Sequence, residues 1–231
     1  MSESRVRLFE QRLSDMGYTR ALEALDWMKE VMCAPNYARH DGSHYYYHLV
    51  DVAQDLFNHG IRDEDILIGA LTHDAVEDVP EITLLMIEYK FGKRVAKMVD
   101  LVTKEKGVNY KQGDLIKVLY LDQILLNPDA CLLKVSDRKH NFSTLKDATA
   151  EKKMRQAIET ETYFFPFFKE AMERYPRYSA YFLTAKTAIK PHLMEMKERY
   201  AEVSELKDEI DSLKGLVASL QGQLDQYAIL Q

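Results

Sequence analysis

Apolar residues recur every three or four positions along most of this chain, which predicts a succession of amphipathic helices. The pattern runs through residues 4–32 and resumes near His48, after the turn-rich segment "APNYARHDGSHYYYH". The other predicted helices are His48 to His59-Gly60, residues 64–78, one on each side of Gly92, residues 114–126, one from about Ala130, and helices over 151–200 punctuated by Pro166, Pro176 and Pro191. The pattern therefore predicts an all-α fold.

The C-terminal segment follows a stricter heptad repeat, in which β-branched residues alternate with leucines at steps of three and four. Position a holds Val203, Ile210 and Val217, position d holds Leu206, Leu213 and Leu220, and the repeat continues to Leu224 and Tyr227. This combination favours a parallel two-stranded coiled coil. Flanking glutamates would face lysines of the partner chain, in the pairs Glu202–Lys207 and Glu209–Lys214.

The repeat divides the chain into two predicted parts. We predict a globular domain over residues 1–195 and a coiled-coil helix over residues 196–231. We also predict a homodimer formed through that helix. The alternative is a terminal helix that packs along its own domain.

Composition and charge limit the kind of protein. Of the 231 residues 46% are hydrophobic, whereas glycine (9) and proline (6) are scarce, which suits a helical protein with a sizeable core. The formal charge of −6 disfavours a general nucleic-acid-binding surface. Cys33 and Cys131 form no disulfide framework, and the sequence shows neither a signal-peptide pattern nor an apolar run of about 18 residues. We therefore predict a cytoplasmic protein without a membrane segment.

The segment "GALTHDAVEDVP" places four ionisable side chains within two turns of a predicted helix. His73 and Glu77 are one turn apart, as are Asp74 and Asp78, and the two pairs lie about 100° apart around the helix axis. Charged groups beside an apolar core are costly unless a partner compensates them, and a bound cation is such a partner. A solvated helix end would explain Glu77 and Asp78 alone.

Two residues on other predicted helices extend this pattern to a candidate metal site. His48 begins one helix, and Asp137 lies on another in "KVSDRKHN". With His73 and Asp74 they provide two imidazoles and two carboxylates, a donor set that leaves open positions in an octahedral shell. Such a set suits Mn²⁺ or Fe²⁺ better than a closed tetrahedral zinc site. The pair His44 and His48, at i, i+4 spacing, is an alternative metal-binding pair.

The order H…HD…D is the signature of the HD hydrolase superfamily, which this chain resembles. Four segments in the same order resemble the hydrolase domain of RelA/SpoT-type alarmone enzymes: "YYYHLVDVAQDL", "GALTHDAVEDV", "FGKRVAKMVDLVTK" and "KVSDRKHNFSTL". The likeness covers about residues 20–150, and "ETETYFFPFF" extends it to about 170. The synthetase domain of bifunctional members has no counterpart, so the sequence resembles a stand-alone small alarmone hydrolase.

The resemblance implies an HD-domain helical bundle that acts as a (p)ppGpp 3′-pyrophosphohydrolase of the stringent response, releasing pyrophosphate through metal-activated water. It implies Mn²⁺ as the cofactor, with Fe²⁺ or another divalent cation as the alternative. Glu77 and Asp78 correspond to the acidic pair that serves the attacking water, and a carboxylate at that position can accept its proton. The implied metal ligands are His48, His73, Asp74 and Asp137.

The resemblance also implies substrate-binding residues around the metal site. Arg39 corresponds to a basic residue that contacts the pyrophosphate, and an ordinary surface arginine is the alternative. Tyr45 would pack near the base, or would be a solvent-facing or core tyrosine. Asn141 and Thr144 match positions that line the nucleoside pocket, and Lys134 would supply compensating charge. The remaining histidines are predicted at the surface: His40, His59, His140 and His192.

Several residues depart from the family pattern around the substrate. Leu49 replaces the usual proline after the first ligand, and Ser43-His44 replaces Thr-Pro before the aromatic residue. Val79 and Ser143 stand where a threonine and an arginine are usual. The identity of the base therefore stays open. The alternatives are an HD phosphohydrolase acting on (p)ppApp, a dNTP or an NMP, and a non-catalytic nucleotide-binding dimer.

Overall fold

The structure is a computed structural model that describes residues 3–39, 42–145 and 148–229. Apart from one isolated β-bridge between Ala38 and His44, these residues contain no β structure, so the predicted all-α fold is confirmed. None of the described helices combines the length and apolar character that a membrane span requires. The helices are α1 (Glu3–Asp15), α2 (Thr19–Val31), α3 (Tyr46–Asn58), α4 (Glu64–Thr72), α5 (Ala75–Asp78), α6 (Leu84–Phe91), α7 (Lys93–Val102), α8 (Asp122–Ile124, preceded by a π-helical segment at Ile116–Leu121), α9 (Pro128–Ser143), α10 (Ala150–Glu159), α11 (Phe165–Arg174, preceded by a π-helical segment at Thr160–Phe164) and α12 (Ser179–Ile229, preceded by a 3₁₀ turn at Pro176–Tyr178).

Two regions that the sequence predicts as continuous helix are divided in the structure. Residues 4–32 form α1 and α2, which are separated at Gly17, where a φ of 70° favours glycine. The predicted helix 64–78 ends at Thr72, and the single turn of α5 begins only at Ala75. Conversely, the sequence predicts a helix boundary at Pro191, but the structure has this residue inside the continuous helix α12.

Helix α4 is enclosed on all sides, since every residue from Ile66 to Thr72 is buried. It packs against α2, α3, α7 and α9. Gly69 permits this close packing, because a Cβ atom there would lie 3.1 Å from Cδ2 of Leu133 on α9 and 3.4 Å from Cε of Met98 on α7. The neighbouring helices therefore fix the position of the carboxyl end of α4.

Helix α9 starts at a well-defined N-terminus. The side chain of Asn127 accepts hydrogen bonds from the backbone N–H groups of Asp129 and Ala130, and Pro128 occupies the first turn. The helix then packs against α3, α4, α7 and α12. Asp137, in the middle of α9, is consequently held among these helices.

Helix α12 begins in the core and ends in solvent. Its first turns bury Phe182, Ala185, Ile189 and Leu193, whereas every side chain over residues 197–223 is exposed. The side chains of Leu224 and Tyr227, the last two positions of the predicted repeat, lie outside the described ones. The division into domains 1–195 and 196–231 falls inside this continuous helix, close to the point where burial ends, and it stays a prediction.

Candidate metal centre

Three parts of the bundle bring the four candidate ligands together. Helix α3 carries His48, the junction between α4 and α5 carries His73 and Asp74, and α9 carries Asp137. Nε2 of His48 lies 3.5 Å from Oδ2 of Asp74 and 3.3 Å from Oδ1 of Asp137. Nε2 of His73 lies 3.3 Å and 3.8 Å from the same two oxygens. The ligand atoms of His48, His73 and Asp74 all lie within 4.8 Å of one another, a spacing that one cation can bridge.

The break between α4 and α5 explains how two consecutive residues reach one point. On a continuous helix, His73 and Asp74 would diverge by about 100°. Asp74 instead has φ −96° and ψ −6°, a turn conformation, and Nδ1 of His73 is 2.8 Å from the carbonyl oxygen of Ala70. The turn and this bond together direct both side chains toward His48.

The tautomer of His73 suits a metal ligand. Because a carbonyl oxygen only accepts, the bond to Ala70 requires the proton of the neutral ring on Nδ1, which leaves Nε2 with a free lone pair. That Nε2 is buried without a hydrogen-bond partner among the described residues. Burial opposes protonation of His73, but the carboxylates of Asp74 and Asp137 outweigh it and raise the pKa to about 9. A cation at Nε2 would therefore compete with a proton.

Both carboxylates of the cluster are held by neighbouring side chains. Nζ of Lys134 lies 2.8 Å from Oδ2 of Asp137, and the amide of Asn141 donates to Oδ1 over 2.6 Å. The hydroxyl of Tyr45 donates to Oδ2 of Asp74 over 2.8 Å. Burial alone would raise the pKa of Asp137, but the positive charge of Lys134 outweighs it and holds the pKa well below its usual value. Two carboxylates and the Nε2 atom of His73 converge here, so the donor set fits a divalent cation that displaces the proton of His73.

The predicted acidic pair lies on the short helix α5, just beyond Asp74. Oε2 of Glu77 accepts a hydrogen bond of 3.2 Å from the backbone N–H of Lys104. Partial burial and then the charge of Asp74 raise the pKa of Asp78 to about 6. Both side chains reach solvent.

The two remaining candidate substrate residues form a pair at the rim. Nη2 of Arg39 donates to Oγ1 of Thr144 over 2.9 Å, and the guanidinium lies 5.5 Å from the centre of the Tyr45 ring. Tyr45, in turn, contacts Asp74. All five candidate substrate residues therefore lie around the cluster, and their roles toward a substrate stay predictions.

A comparison with known protein families matches most of this region. The family model described as "HD domain" matches residues 24–169, more than half of the chain. The chain belongs to the HD-domain family. HD domains bind divalent metal ions, and among the described residues His48, His73 and Asp74 form a group with the spacing to do so.

Two curated relatives illustrate the likeness of this HD domain. It is 38% identical over 130 residues to a guanosine-3′,5′-bis(diphosphate) 3′-pyrophosphohydrolase of Aquifex aeolicus, which covers 55% of this chain and 18% of that protein. It is 35% identical over 125 residues to a probable GTP pyrophosphokinase of Mycobacterium leprae, covering 53% of this chain and 16% of that protein. The chain therefore matches less than a fifth of the length of these relatives.

A solved structure resembles the HD domain in fold. It is that of a metazoan ortholog of SpoT that hydrolyzes ppGpp, with a TM-score of 0.55 and 22% sequence identity. The match covers 78% of this chain and 94% of the other. At this identity the likeness shows a shared fold.

Beside the metal centre, the HD domain contains a cavity of about 750 Å³ that the sequence does not predict. Cationic and aromatic side chains line it, among them Lys104, Arg138, Arg155, Tyr110 and Tyr163. Nζ of Lys104 lies 5.6 Å from the centre of the Tyr120 ring, and Nζ of Lys134 lies 5.2 Å from the same ring. Lys134 also contacts Asp137, so the Tyr120 ring and these two lysines connect the lining of the cavity with the metal centre. The signal in the sequence was the basic and aromatic loop "KEKGVNYK" after the third motif.

The histidines outside the cluster correct two expectations. His140, predicted at the surface, has a side chain only 11% exposed and lies between His48 and Asp51. Burial lowers its pKa. Nδ1 of His44 accepts a hydrogen bond from the N–H of Ala34, which places His44 outside the cluster. His192 is exposed and His59 partly so, and His40 lies outside the described residues.

Proposed function

We propose that this protein is a metal-dependent (p)ppGpp 3′-pyrophosphohydrolase. The observation that supports it best is the convergence of His48, His73, Asp74 and Asp137 at one point, with a second acidic pair on the adjoining turn. The reaction would consume one water and yield pyrophosphate and a nucleotide with a free 3′ hydroxyl. The activity of the Aquifex relative, as its name states it, agrees with this proposal.

The four convergent side chains would hold the cation, which we propose to be Mn²⁺, or Fe²⁺ in its place. Mixed imidazole and carboxylate donors with open positions favour such ions. When bound, the ion supplies positive charge that neutralises phosphate oxygens and promotes the ionisation of water. Lys134 and Asn141 keep the carboxylate of Asp137 ionised and oriented toward His48.

Glu77 and Asp78 would receive the proton of the attacking water. Their carboxylates are acceptors one turn beyond the ligand-bearing junction. The backbone N–H of Lys104 orients Glu77. A protein that only sensed nucleotides would not need this second acidic pair, which is why we favour an enzyme over a non-catalytic binding module.

The nucleotide would lie across the metal centre. It would extend from the pair Arg39 and Thr144 on one side to the cavity beyond Tyr120 on the other. The cavity has the volume of a small-molecule site, and Lys104 and Arg155 provide positive charge for phosphates in a chain of net charge −6. Thr144 and Asn141 would contact the nucleoside from the other side. These contacts discriminate little between purines, so the adenine alarmone is the competing substrate.

The proposal can be tested with a nucleotide panel. The full chain with Mn²⁺ should convert ppGpp to guanosine 5′-diphosphate and pyrophosphate, identified by ion-exchange chromatography. Asp74→Asn should lose both Mn²⁺ binding and turnover. Glu77→Gln should keep Mn²⁺ affinity but lose turnover at least about 100-fold, because it lacks a proton acceptor.

The matched control is Asp100→Asn, which removes an exposed carboxylate on α7 and should leave turnover unchanged. Intact ppGpp in the presence of Mn²⁺ would refute the proposed substrate. Hydrolysis of ppApp, a dNTP or an NMP in the same panel would identify the alternative. Undiminished turnover by Glu77→Gln would remove its assigned role.

We also propose that α12 joins two copies of the chain as a parallel coiled coil. Its six a and d residues from Val203 to Leu220 are 39–57% exposed, so they do not pack along their own domain. The charge pattern also fits a second copy, because glutamates at g would meet lysines at e of the partner. A long apolar stripe in solvent is typical of an interaction surface.

A further inference from the structure

A chain of polar side chains leads from the metal centre to the N-terminal helix. Nδ1 of His48 lies 2.6 Å from Nδ1 of His140, and Nε2 of His140 lies 2.9 Å from Oδ2 of Asp51. Nη2 of Arg5, on α1, donates to that same oxygen over 3.0 Å. His48 and Asp51 both belong to α3, whereas His140 comes from α9. The bonds therefore connect three helices.

When both imidazoles are neutral, as a metal-binding histidine must be, the donors and acceptors along this chain permit only one placement of the protons. An ionised carboxylate such as Asp51 only accepts, so Nε2 of His140 must carry a proton. In the neutral ring of His140, Nδ1 is then an acceptor. The proton between the two rings consequently belongs to Nδ1 of His48.

This placement decides which nitrogen of His48 is free. With the proton on Nδ1, Nε2 keeps a lone pair, and Nε2 is the atom that faces Asp74 and Asp137. The opposite tautomer would put a proton where a cation must bind. His73 reaches the same state through a backbone carbonyl. His48 depends on another side chain for it.

We propose that His140, oriented by Asp51, is a positioning residue that holds His48 in its metal-binding tautomer. The inference rests on the metal site proposed above. Groups that hydrogen-bond to the non-coordinating nitrogen of a histidine ligand fix its orientation. Their loss weakens metal affinity by about 10- to 100-fold. Nothing in the role requires His140 to touch the substrate.

Calorimetric titration of the metal-free full chain with Mn²⁺, without nucleotide, tests the inference. His140→Phe keeps an aromatic ring against His48 but removes the acceptor, so the Kd should rise about 10- to 100-fold. His140→Asn restores an acceptor at the δ position and should recover most of the affinity. His59→Phe is the matched control: His59 also pairs with an aspartate of α3, Asp55, but contacts no residue of the cluster, so its Kd should not change.

A second measurement reports the proton directly. Two-bond ¹⁵N–¹H spectra of the Zn²⁺-loaded protein should show the proton of His48 on Nδ1, and this signal should change in His140→Phe but not in His59→Phe. Thermal unfolding of each metal-free variant checks that the fold persists.

Three outcomes would overturn the inference. If His140→Phe binds Mn²⁺ as tightly as the unaltered protein, the ring of His140 does not select the tautomer. If His140→Asn binds as weakly as His140→Phe, ring packing and not the acceptor is responsible. If the unaltered protein binds no divalent ion, the metal site and the inference fall together. If the predicted affinities are found without ppGpp hydrolysis, only the proposed function fails.

Discussion

Each ionised side chain of the metal centre has a partner that is a fixed part of the fold. Asp137 is almost fully buried, and it is held by Lys134 and Asn141. Removing one partner of a buried ion pair leaves the other charge uncompensated, which costs far more than the loss of a surface pair. The candidate ligand set is thus assembled without a cation, and a bound cation would supply the last compensation.

Lys134→Met should reveal this compensation. Without the lysine, the carboxylate of Asp137 loses its nearest positive charge, so the free energy of unfolding of the metal-free protein should fall by about 3 kcal/mol. Saturating Mn²⁺ should restore part of the loss. Urea unfolding with and without the ion measures both quantities.

Lys97→Met is the control, since Lys97 pairs with Asp100 at the same i, i+3 spacing but on the surface. Its effect should stay below about 1 kcal/mol. Equal effects of the two substitutions would mean that Asp137 needs no positive partner.

Residue types and their order were enough to predict the four candidate ligands. The H…HD…D order identifies one residue for each ligand position: His48, His73, Asp74 and Asp137. The burial of His140 was not predictable in this way. Its partner Asp51 is 89 residues away in the chain, and a histidine beside Lys139 in a polar motif has the composition of a surface residue. Tertiary contacts decide its place.

At the scale of elements, the break between α4 and α5 allows His73 and Asp74, the candidate ligand pair, to face the same point. Residues 64–78 have the spacing of one helix, no proline interrupts them, and their one glycine, Gly69, lies in the middle of α4 and not at its end. The ends of α4 are nevertheless fixed by packing, and the chain turns at His73 and Asp74 where their side chains find partners. Local propensity indicated the helix but could not indicate its end, because the cause lies in α3 and α9.

Gly69→Val should show how tightly α4 is held. The added methyl groups would meet Cδ2 of Leu133 and Cε of Met98, and overpacking of this kind costs about 1–3 kcal/mol. Chemical unfolding monitored by circular dichroism measures the change. Mn²⁺ affinity should fall as well, because the end of α4 carries the proposed ligands His73 and Asp74.

Gly215→Val is the matched control on α12, where an added Cβ meets nothing within 4 Å. Its effect on unfolding should stay within about 0.5 kcal/mol. A Gly69→Val protein as stable as the unaltered one would show that the core can expand at this point.

At the scale of the whole molecule, the heptad pattern was sufficient to predict a long exposed helix at the C-terminus, but the sequence alone did not decide whether it folds back. The structure leaves residues 197–223 in solvent. The ion pair between Lys207 and Glu151, with both side chains 65% exposed, is too weak to hold the helix against the domain. A second copy is the partner that the pattern of charge and apolar residues fits.

Leu213→Asp should convert a dimer to a monomer. The substitution puts two carboxylates against each other at a d position in the proposed interface. Light scattering coupled to size-exclusion chromatography should give this variant half the mass of the unaltered protein. Ala218→Asp, at an outward b position of the same helix, should keep the dimer. A monomeric mass for the unaltered protein over a range of concentrations would contradict the pairing.

The unbroken course of α12 has a mechanical consequence. Its 51 residues span about 75 Å, and no loop lies between the part packed in the bundle and the part in solvent. Two such chains paired through their C-terminal segments would form a stiff, fork-shaped particle. Its two globular domains, each with one candidate metal centre, would be held at a fixed separation. The pair-distance distribution from small-angle X-ray scattering would then show a sharp peak at long distance. Two domains joined by flexible linkers would instead give a broad distribution.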